Sequence, residues 1–104
     1  MNNVNEQNVL NLAGLAYRAR KTSLGVDAIV TDIQQKKVHF VLIASDAQRN
    51  SKKQLMDKCE SYKVPYTEIA NRQILGQAVG KHARVAIGIT DQGFARKFQS
   101  LLQK

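Results

Sequence analysis

The stretch Val38-His39-Phe40-Val41-Leu42-Ile43-Ala44 is apolar at nearly every position, and it decides the fold class. A strand with one face in water alternates apolar and polar residues, whereas a strand covered on both faces is apolar throughout. The stretch therefore predicts a central strand in a sheet that has helices on both sides. The sequence around it alternates between helical and extended patterns, as an α/β fold requires.

The residues on the N-terminal side of this strand predict two helices joined by a short strand. Apolar residues recur at helical spacing from Val9 to Ala16 and again from Val26 to Ile33, so each helix buries one face. Between the two helices, Thr22-Ser23-Leu24 is a short extended segment that leads into Gly25. The second helix therefore begins directly after a glycine.

The residues on the C-terminal side continue the alternation. A third helix follows the central strand, and Ser51 is its expected N-cap. Residues 64–69 form the next predicted strand, in which Pro65 marks either the start of the strand or an edge of the sheet. Asn71 is the expected cap of a short fourth helix, and Gly80 is well placed as the residue after its C-cap.

The last predicted elements are a buried strand over residues 85–89 and a helix that Asp91 caps. No linker, repeat or change of composition divides the chain, so we expect residues 1–104 to form a single domain. Helices on both sides of one sheet make the predicted fold a three-layer α-β-α sandwich.

The charge balance limits the class of partner. Sixteen Lys and Arg residues face eight Asp and Glu residues, which gives a formal charge of +8 and a pI of about 9.9. Such a basic domain favours a nucleic-acid partner. The polar N-terminal residues do not resemble a signal peptide, and the longest apolar run is too short to span a bilayer. We therefore expect a cytoplasmic protein with no membrane partner.

The residues that carry chemistry do not form a catalytic or metal-binding pattern. Cys59 is the only cysteine, so neither an intramolecular disulfide nor a cluster of thiolate ligands can form. His39 lies inside an apolar strand, and His82 lies among cationic neighbours. Phosphate-loop, dinucleotide-binding, nucleophile-elbow and zinc-protease motifs are all missing from the sequence. We therefore expect a protein that is not an enzyme and that uses no cofactor and no metal.

Three segments have the character of anion-binding sites. The first runs from Arg18 to Gly25 and enters a helix N-terminus, where free N–H groups and the helix dipole favour phosphate. The second, Ser45-Asp46-Ala47, follows the central strand, and there Asp46 fits a functional acid or a turn residue equally well. The third is Lys81-His82-Ala83-Arg84, before the last strand.

Because all three segments lie at junctions of a sandwich, we expect them to share one rim that binds RNA or DNA. The candidate nucleic-acid-binding residues of these segments are Arg18, Arg20, Lys21, Thr22, Ser23, Gly25, Ser45, Asp46, Ala47, Lys81, His82, Ala83 and Arg84.

Several pieces of the sequence carry a family resemblance. They are residues 12–21 (LAGLAYRARK), 57–59 (DKC), 62–66 (YKVPY), Leu75-Gly76 with Gly80-Lys81, and 90–95 (TDQGFA). Over essentially its whole length the chain resembles the L7Ae/L30e superfamily of ribosomal RNA-binding proteins and, within it, the bacterial YlxQ-type members. The resemblance implies a mixed four-stranded sheet and RNA binding. It also implies contact with kink-turn RNA, a sharply bent helix, through the three segments described above.

The resemblance extends only partly to individual residues. Gly25 matches the family glycine in the turn that opens the second helix. Asp27, Ala28 and Thr31 stand where relatives have Asn, Glu and Lys, so the resemblance implies that these three positions also belong to the RNA-binding site. The carboxylate of Asp27 can accept hydrogen bonds from guanine but has no amide N–H to donate. The methyl group of Ala28 can neither accept nor donate a hydrogen bond, and Thr31 carries no charge. The backbone turn is therefore retained, while the base-reading side chains are reduced.

The leading hypothesis is a protein that docks on structured RNA, either ribosomal or containing a kink-turn, with the ribosome or translation factors as further partners. It predicts that affinity falls steeply with salt. It also predicts weaker binding after Lys21→Ala or Arg84→Ala. The alternative is a non-enzymatic adaptor in translation or ribosome assembly that binds an acidic protein surface. A third hypothesis, a small enzyme acting on nucleotides or RNA, requires a cleft with perturbed acids or histidines.

Overall fold

The structure is a computed structural model that describes the backbone of residues 3–102 and the side chains from Glu6 to Leu102. It confirms the predicted alternation of helices and strands. The elements are α1 (Asn3–Arg18), β1 (Thr22–Leu24), α2 (Val26–Gln34), β2 (Phe40–Ile43), α3 (Arg49–Ser61), β3 (Tyr66–Glu68), α4 (Arg72–Ala78), β4 (Ala86–Ile89) and α5 (Gln92–Leu102). Within the described residues, no helix is both long enough and apolar enough to cross a membrane.

The four strands form one mixed sheet in the order β1-β4-β2-β3. Strand β4 pairs antiparallel with both β1 and β2, whereas β2 and β3 are parallel. Consequently β1, β2 and β3 run in one direction and β4 runs in the other. The prediction that Pro65 marks the start or the edge of the sheet is confirmed, because it directly precedes the edge strand β3.

Helices cover both faces of this sheet. Helices α2 and α3 pack together on one face, and α1 packs against α4 and α5 on the other. Every residue of β2 and β4 is buried, as the apolar pattern predicted. Phe40 stacks on Phe98 of α5 with ring centroids 5.7 Å apart, while a Cβ on Gly88 would lie 3.3 Å from Ile29 of α2. The three-layer α-β-α sandwich is therefore confirmed.

The ends of the helices agree with most of the predictions. The side chain of Asn71 accepts a hydrogen bond from the backbone N–H of Ile74 (2.9 Å), and Asp91 accepts one from Phe94 (2.9 Å). Gly80 has φ 69° and follows the C-cap of α4, as predicted. Both caps and this glycine fix the boundaries of the elements that flank β4.

The predicted start of α3 at Ser51 is wrong. Gln48 is the N-cap and the helix begins at Arg49, because the backbone N–H of Lys52 donates to the carbonyl of Gln48 (2.9 Å); the N-cap thus lies three residues before the predicted Ser51. Neither Gln48 nor Ser51 caps the helix through its side chain in the described contacts. The first turn is instead held by tertiary contacts of Lys52, which are described below.

Candidate nucleic-acid interface

The direction of the strands brings three junctions to one end of the sheet. Gly25 follows β1, Ser45 follows β2, and the segment Lys81–Arg84 precedes the antiparallel strand β4. Because adjacent strands lie ~4.8 Å apart, the ends of β1, β4 and β2 span about 10 Å. We call this surface the loop end and define it as residues 25–28, 45–47 and 81–84.

The first junction is a helix N-terminus with an open approach. Gly25 has φ 95° and ψ 140°, a conformation that suits glycine and strains other residues. The first hydrogen bond of α2 runs from the N–H of Ile29 to the carbonyl of Gly25 (2.9 Å), so the N–H groups of Val26, Asp27 and Ala28 lie outside the helical ladder. A Cβ on Gly25 would meet nothing within 4 Å. An anion can therefore approach these N–H groups.

The second junction is held in place by its neighbours. The hydroxyl of Ser45 donates to the carbonyl of Ala70. The ammonium of Lys52 donates both to the carbonyl of Ser45 (2.9 Å) and to Glu68 Oε1 (3.2 Å). Ala47 is buried at 9% exposure, so it anchors the loop to the core. This loop therefore presents a fixed shape to a ligand.

Asp46 acts within the protein as a bridge to α4. Its Oδ1 accepts a hydrogen bond from the backbone N–H of Arg72 (2.8 Å), and its Oδ2 lies 3.5 Å from Arg72 Nε. The backbone N–H of Arg72, aided by the guanidinium charge, holds the pKa of Asp46 below its ordinary value. The sequence allowed either a functional acid or a turn residue at this position, and these contacts are those of a turn residue. The contacts of Asp46 orient Arg72 beside the loop end.

The third junction packs tightly on α4. The backbone N–H of Lys81 donates to the carbonyl of Gly76 (2.8 Å), and that of Arg84 donates to the carbonyl of Arg72 (2.9 Å). Gly76 is buried, and a Cβ there would overlap the carbonyl oxygen of His82. The ammonium of Lys81 lies 5.6 Å from the ring centroid of Tyr17, a cation–π distance. The basic loop is thus fixed at both of its ends.

A polar groove of about 590 Å³ lies between the second and third junctions. It is lined by Asp46, Asn71, Arg72, Gln73, Gln77, Lys81, His82 and Ala83. Arg72, Gln73 and Gln77 were missed by the sequence analysis, although the i, i+4 spacing of the two glutamines places them on one face of α4. Amide side chains both donate and accept, so this groove can contact base edges as well as phosphates.

Comparison with known proteins agrees with this geometry. Residues 7–99 match the model of the ribosomal protein L7Ae/L30e/S12e/Gadd45 family. The chain belongs to this family. The resemblance inferred from the sequence motifs is therefore confirmed.

Two curated relatives and one solved structure are similar over nearly the whole chain. A Bacillus subtilis protein named RNA-binding protein YlxQ is 47% identical over 91 residues, which are 88% of this chain and 91% of the relative. The Enterococcus faecium protein of the same name is 40% identical over 103 residues, 99% of each chain. A structure of a protein of unknown function from Bacillus halodurans C is 46% identical, with a TM-score of 0.89 over 92% of this chain and 97% of that one.

In the family turn at the start of α2, the three residues that depart from the family pattern are all accessible. Asp27, Ala28 and Thr31 are exposed on α2. Ser23, by contrast, is a buried residue of β1 with 7% exposure, so its side chain is not available to RNA. The groups that α2 exposes at this turn are therefore backbone N–H groups and side chains with little capacity for base reading.

The basic part of the first segment lies elsewhere. Thr22 pairs with Ile89, and the backbone N–H of Thr90 donates to the carbonyl of Lys21 (2.9 Å), so Lys21 and Arg20 lie at the opposite end of β1 from Gly25. A three-residue strand separates the two ends by about 10 Å. The expectation that the whole segment from Arg18 to Gly25 shares one rim is therefore wrong.

Arg18 does not line the groove at the loop end. It borders a second groove, of about 540 Å³, between α1 and α4. Gln77 lines both grooves, so the two are separated only by the exposed face of α4. Arg18 is thus adjacent to the loop end rather than part of it.

Proposed function

We propose that this chain is a non-enzymatic RNA-binding protein that docks structured RNA on the loop end. The observation that carries the proposal is the convergence, at one end of the sheet, of an uncapped helix N-terminus with a groove of amide and cationic side chains. The family membership and the names of the two curated relatives support RNA as the polyanion. The groups at this end favour phosphate and base contacts over covalent chemistry.

Each part of the loop end, together with the adjacent side chains of α4, has a role in this proposal. The free N–H groups at the start of α2 bind a phosphate, as helix N-termini do. Arg72, Lys81 and Arg84 neutralise further phosphates, while Gln73 and Gln77 contact base edges. Because the loops are fixed by internal hydrogen bonds, recognition by shape suits them, and structured RNA is recognised largely by shape.

We further infer that the partner is ribosomal RNA or another RNA with a kink-turn, which places the protein in the cytoplasm with the ribosome. Gly25 retains the backbone turn of the family. Asp27 and Ala28 offer few donors for guanine edges, so in this proposal discrimination between RNAs rests mainly on the groove beside α4.

The test compares Lys81→Ala and Arg84→Ala with Arg96→Ala, a control that removes one exposed charge from α5, away from the loop end. The probe is a kink-turn hairpin, titrated by fluorescence anisotropy at several salt concentrations. Each loop-end variant should reduce the log–log salt slope by about 0.7–0.9, which is the value for one lost phosphate contact. Arg96→Ala should leave hairpin binding unchanged.

Two outcomes would count against the proposal. Equal effects of all three substitutions would mean that binding reflects net charge and not the loop end. Binding that does not depend on salt, or no binding to any structured RNA, would favour the adaptor hypothesis.

A further inference from the structure

Three helices of this protein end on a basic residue in the left-handed backbone conformation. Arg20, Lys36 and Lys63 have φ values of 62°, 63° and 58° and follow α1, α2 and α3. The same pair of backbone hydrogen bonds is found at each of the three helix ends. As one example, the N–H of Lys36 donates to the carbonyl of Ile33 and that of Lys37 to the carbonyl of Asp32, at 2.9 and 2.8 Å. This pattern is the Schellman motif, in which the left-handed position is usually glycine.

Folding alone would favour glycine at these positions. A side chain with a Cβ is strained at positive φ, whereas glycine is not. Helix α4 ends in the same motif and has Gly80 there, with φ 69°. The fourth non-glycine residue with positive φ in the described chain, Ala70, lies in a loop and not at a helix end. Of the four Schellman positions in the described part of the chain, three thus keep a cation at the expense of backbone strain.

The three cations lie at one end of the sheet. Helices α1, α2 and α3 lead into β1, β2 and β3, and these strands run in the same direction. Arg20, Lys36 and Lys63 therefore all lie at the end opposite the loop end, together with their exposed neighbours Lys21 and Lys37. We call these five residues the basic end. Four strands separate its edges by about 14 Å.

The charge of the basic end is not neutralised within the protein. None of the ion pairs between described residues includes any of these five cations. Of the nearby acids, Glu60 accepts a hydrogen bond from the hydroxyl of Tyr66 (2.8 Å), and Asp91 caps α5. Asp32 is partly buried one turn before Lys36. The basic end therefore presents a net positive surface.

An exposed aromatic side chain accompanies this charge. Tyr62 is 40% exposed and lines a groove of about 250 Å³ together with His39, Lys36 and Lys63. Aromatic rings between cations provide stacking surfaces for unpaired bases. This combination favours RNA over an acidic protein surface, which offers charge but no bases to stack.

We propose that the basic end binds a second RNA segment, so that one molecule bridges two segments held at opposite ends of a body of 31 × 28 × 27 Å. The inference rests on the proposed function, because it takes the loop end as the first RNA site. Phosphates contact the five cations, and an unpaired base stacks on Tyr62. The strain at Arg20, Lys36 and Lys63 is explained by this second site.

The test uses a triple variant, Arg20→Gly with Lys36→Gly and Lys63→Gly, that removes the charge and also relieves the strain. Its matched control, Lys53→Ala with Arg96→Ala and Lys97→Ala, removes the same charge from exposed helix faces. Each protein is loaded on a biotinylated kink-turn hairpin, and capture of fluorescent fragments of ribosomal RNA is then measured. Thermal unfolding is recorded in parallel.

The wild type and the control should capture the second RNA, whereas the triple-glycine variant should hold the hairpin and capture the second RNA much more weakly. Three lost phosphate contacts should reduce the salt slope of capture by about 2. The triple-glycine variant should melt no lower than the wild type, because glycine is the preferred residue at these positions. Lower stability with unchanged capture would show a role in folding only and would overturn the proposal.

Other outcomes separate the two proposals. If the wild type holds the hairpin but captures no second RNA, the basic-end proposal is overturned and the loop-end proposal is not affected. Displacement of the second RNA by polyglutamate as readily as by RNA would identify a general polyanion surface and would also overturn it. A wild type that does not hold the hairpin defeats the loop-end proposal. In that case the basic-end proposal is tested by direct binding of ribosomal RNA: weaker binding by the triple-glycine variant than by the wild type supports the proposal, and equal binding overturns it.

Discussion

The substitution Gly76→Ala should displace the basic loop of the loop end. Gly76 is buried in α4, where a methyl group would overlap the carbonyl oxygen of His82. The new carbon would also lie 2.5 Å from the carbonyl carbon of His82 and 3.1 Å from the Cα of Ala83. Carbon atoms pack at ~3.5 Å or more, so the loop must move by about 1 Å. Because the opposing atoms are backbone, a side-chain rotation cannot relieve the clash.

The expected loss of stability follows from the contacts that this movement breaks. The hydrogen bonds from Lys81 to Gly76 (2.8 Å) and from Arg84 to Arg72 (2.9 Å) hold the loop on α4. Each contributes about 1 kcal/mol, and overpacking adds about 1–3 kcal/mol. The better helix propensity of alanine returns about 1 kcal/mol. The net cost is about 2–4 kcal/mol, a large part of the ~5–15 kcal/mol that stabilises a typical domain.

Urea unfolding measures this cost, and hairpin titration under conditions where the variant is folded measures the functional effect. Because Lys81 and Arg84 move together, affinity should fall by about tenfold or more, at ~1.4 kcal/mol per factor of ten. The control is Gly80→Ala, since Gly80 has φ 69° and nothing within 4 Å of an added Cβ. Its cost is backbone strain of about 1 kcal/mol, with little change in binding. If the two variants were equal in stability and in affinity, the packing of this loop on α4 would be refuted.

Three further predictions test other parts of the structure. Gly25→Ala should lower the free energy of unfolding by about 1–3 kcal/mol because of backbone strain at φ 95°, and calorimetry would measure this loss. It should also weaken hairpin binding in the anisotropy assay. An unchanged affinity would show that α2 is not part of the interface. The lowered pKa of Asp46 means that its contribution to stability is present above the unfolded value of 3.8 and is lost as the pH falls through the lower folded value. Asp46→Asn should therefore reduce the acid sensitivity of unfolding, and a pH profile identical to that of the wild type would contradict this role. Burial raises the pKa of Cys59 to about 12, so maleimide should label this thiol only in denaturant, and rapid labelling of the folded protein would show that α3 is not packed as described.

Much of the fold could be predicted from local pattern, because burial leaves a periodic trace in sequence. The apolar run 38–44 identified the central strand, whose regular part is Phe40–Ile43; the N–H groups of His39 and Ala44 on either side also donate across the sheet, to Ile89 and Val85 (both 2.8 Å). The order of the strands in the sheet could not be predicted from local sequence patterns. The insertion of β4 between β1 and β2 depends on contacts between distant residues, and only the family resemblance indicated a mixed sheet.

The candidate site was predictable where its chemistry is local. Gly25 and the loop Lys81–Arg84 carry their signal in adjacent residues. The position of Lys21 was not predictable, because local charge does not show at which end of a short strand a residue lies. Gln73 and Gln77 were missed for a different reason. Polar residues on a short helix normally form a solvated face, and only the loop packed at Gly76 places them in a groove.

The surplus of positive charge therefore has two different structural settings. At the loop end, the cations sit on loops that internal hydrogen bonds hold rigid, and the α2 site is made of backbone N–H groups. Departures from the family pattern at Asp27 and Ala28 leave those N–H groups in place. At the basic end, the cations are long, exposed side chains on strained backbone, which supply charge but no fixed pattern of donors. In our proposals, discrimination between RNAs therefore belongs to the loop end, while the basic end adds affinity that depends on salt and little on sequence.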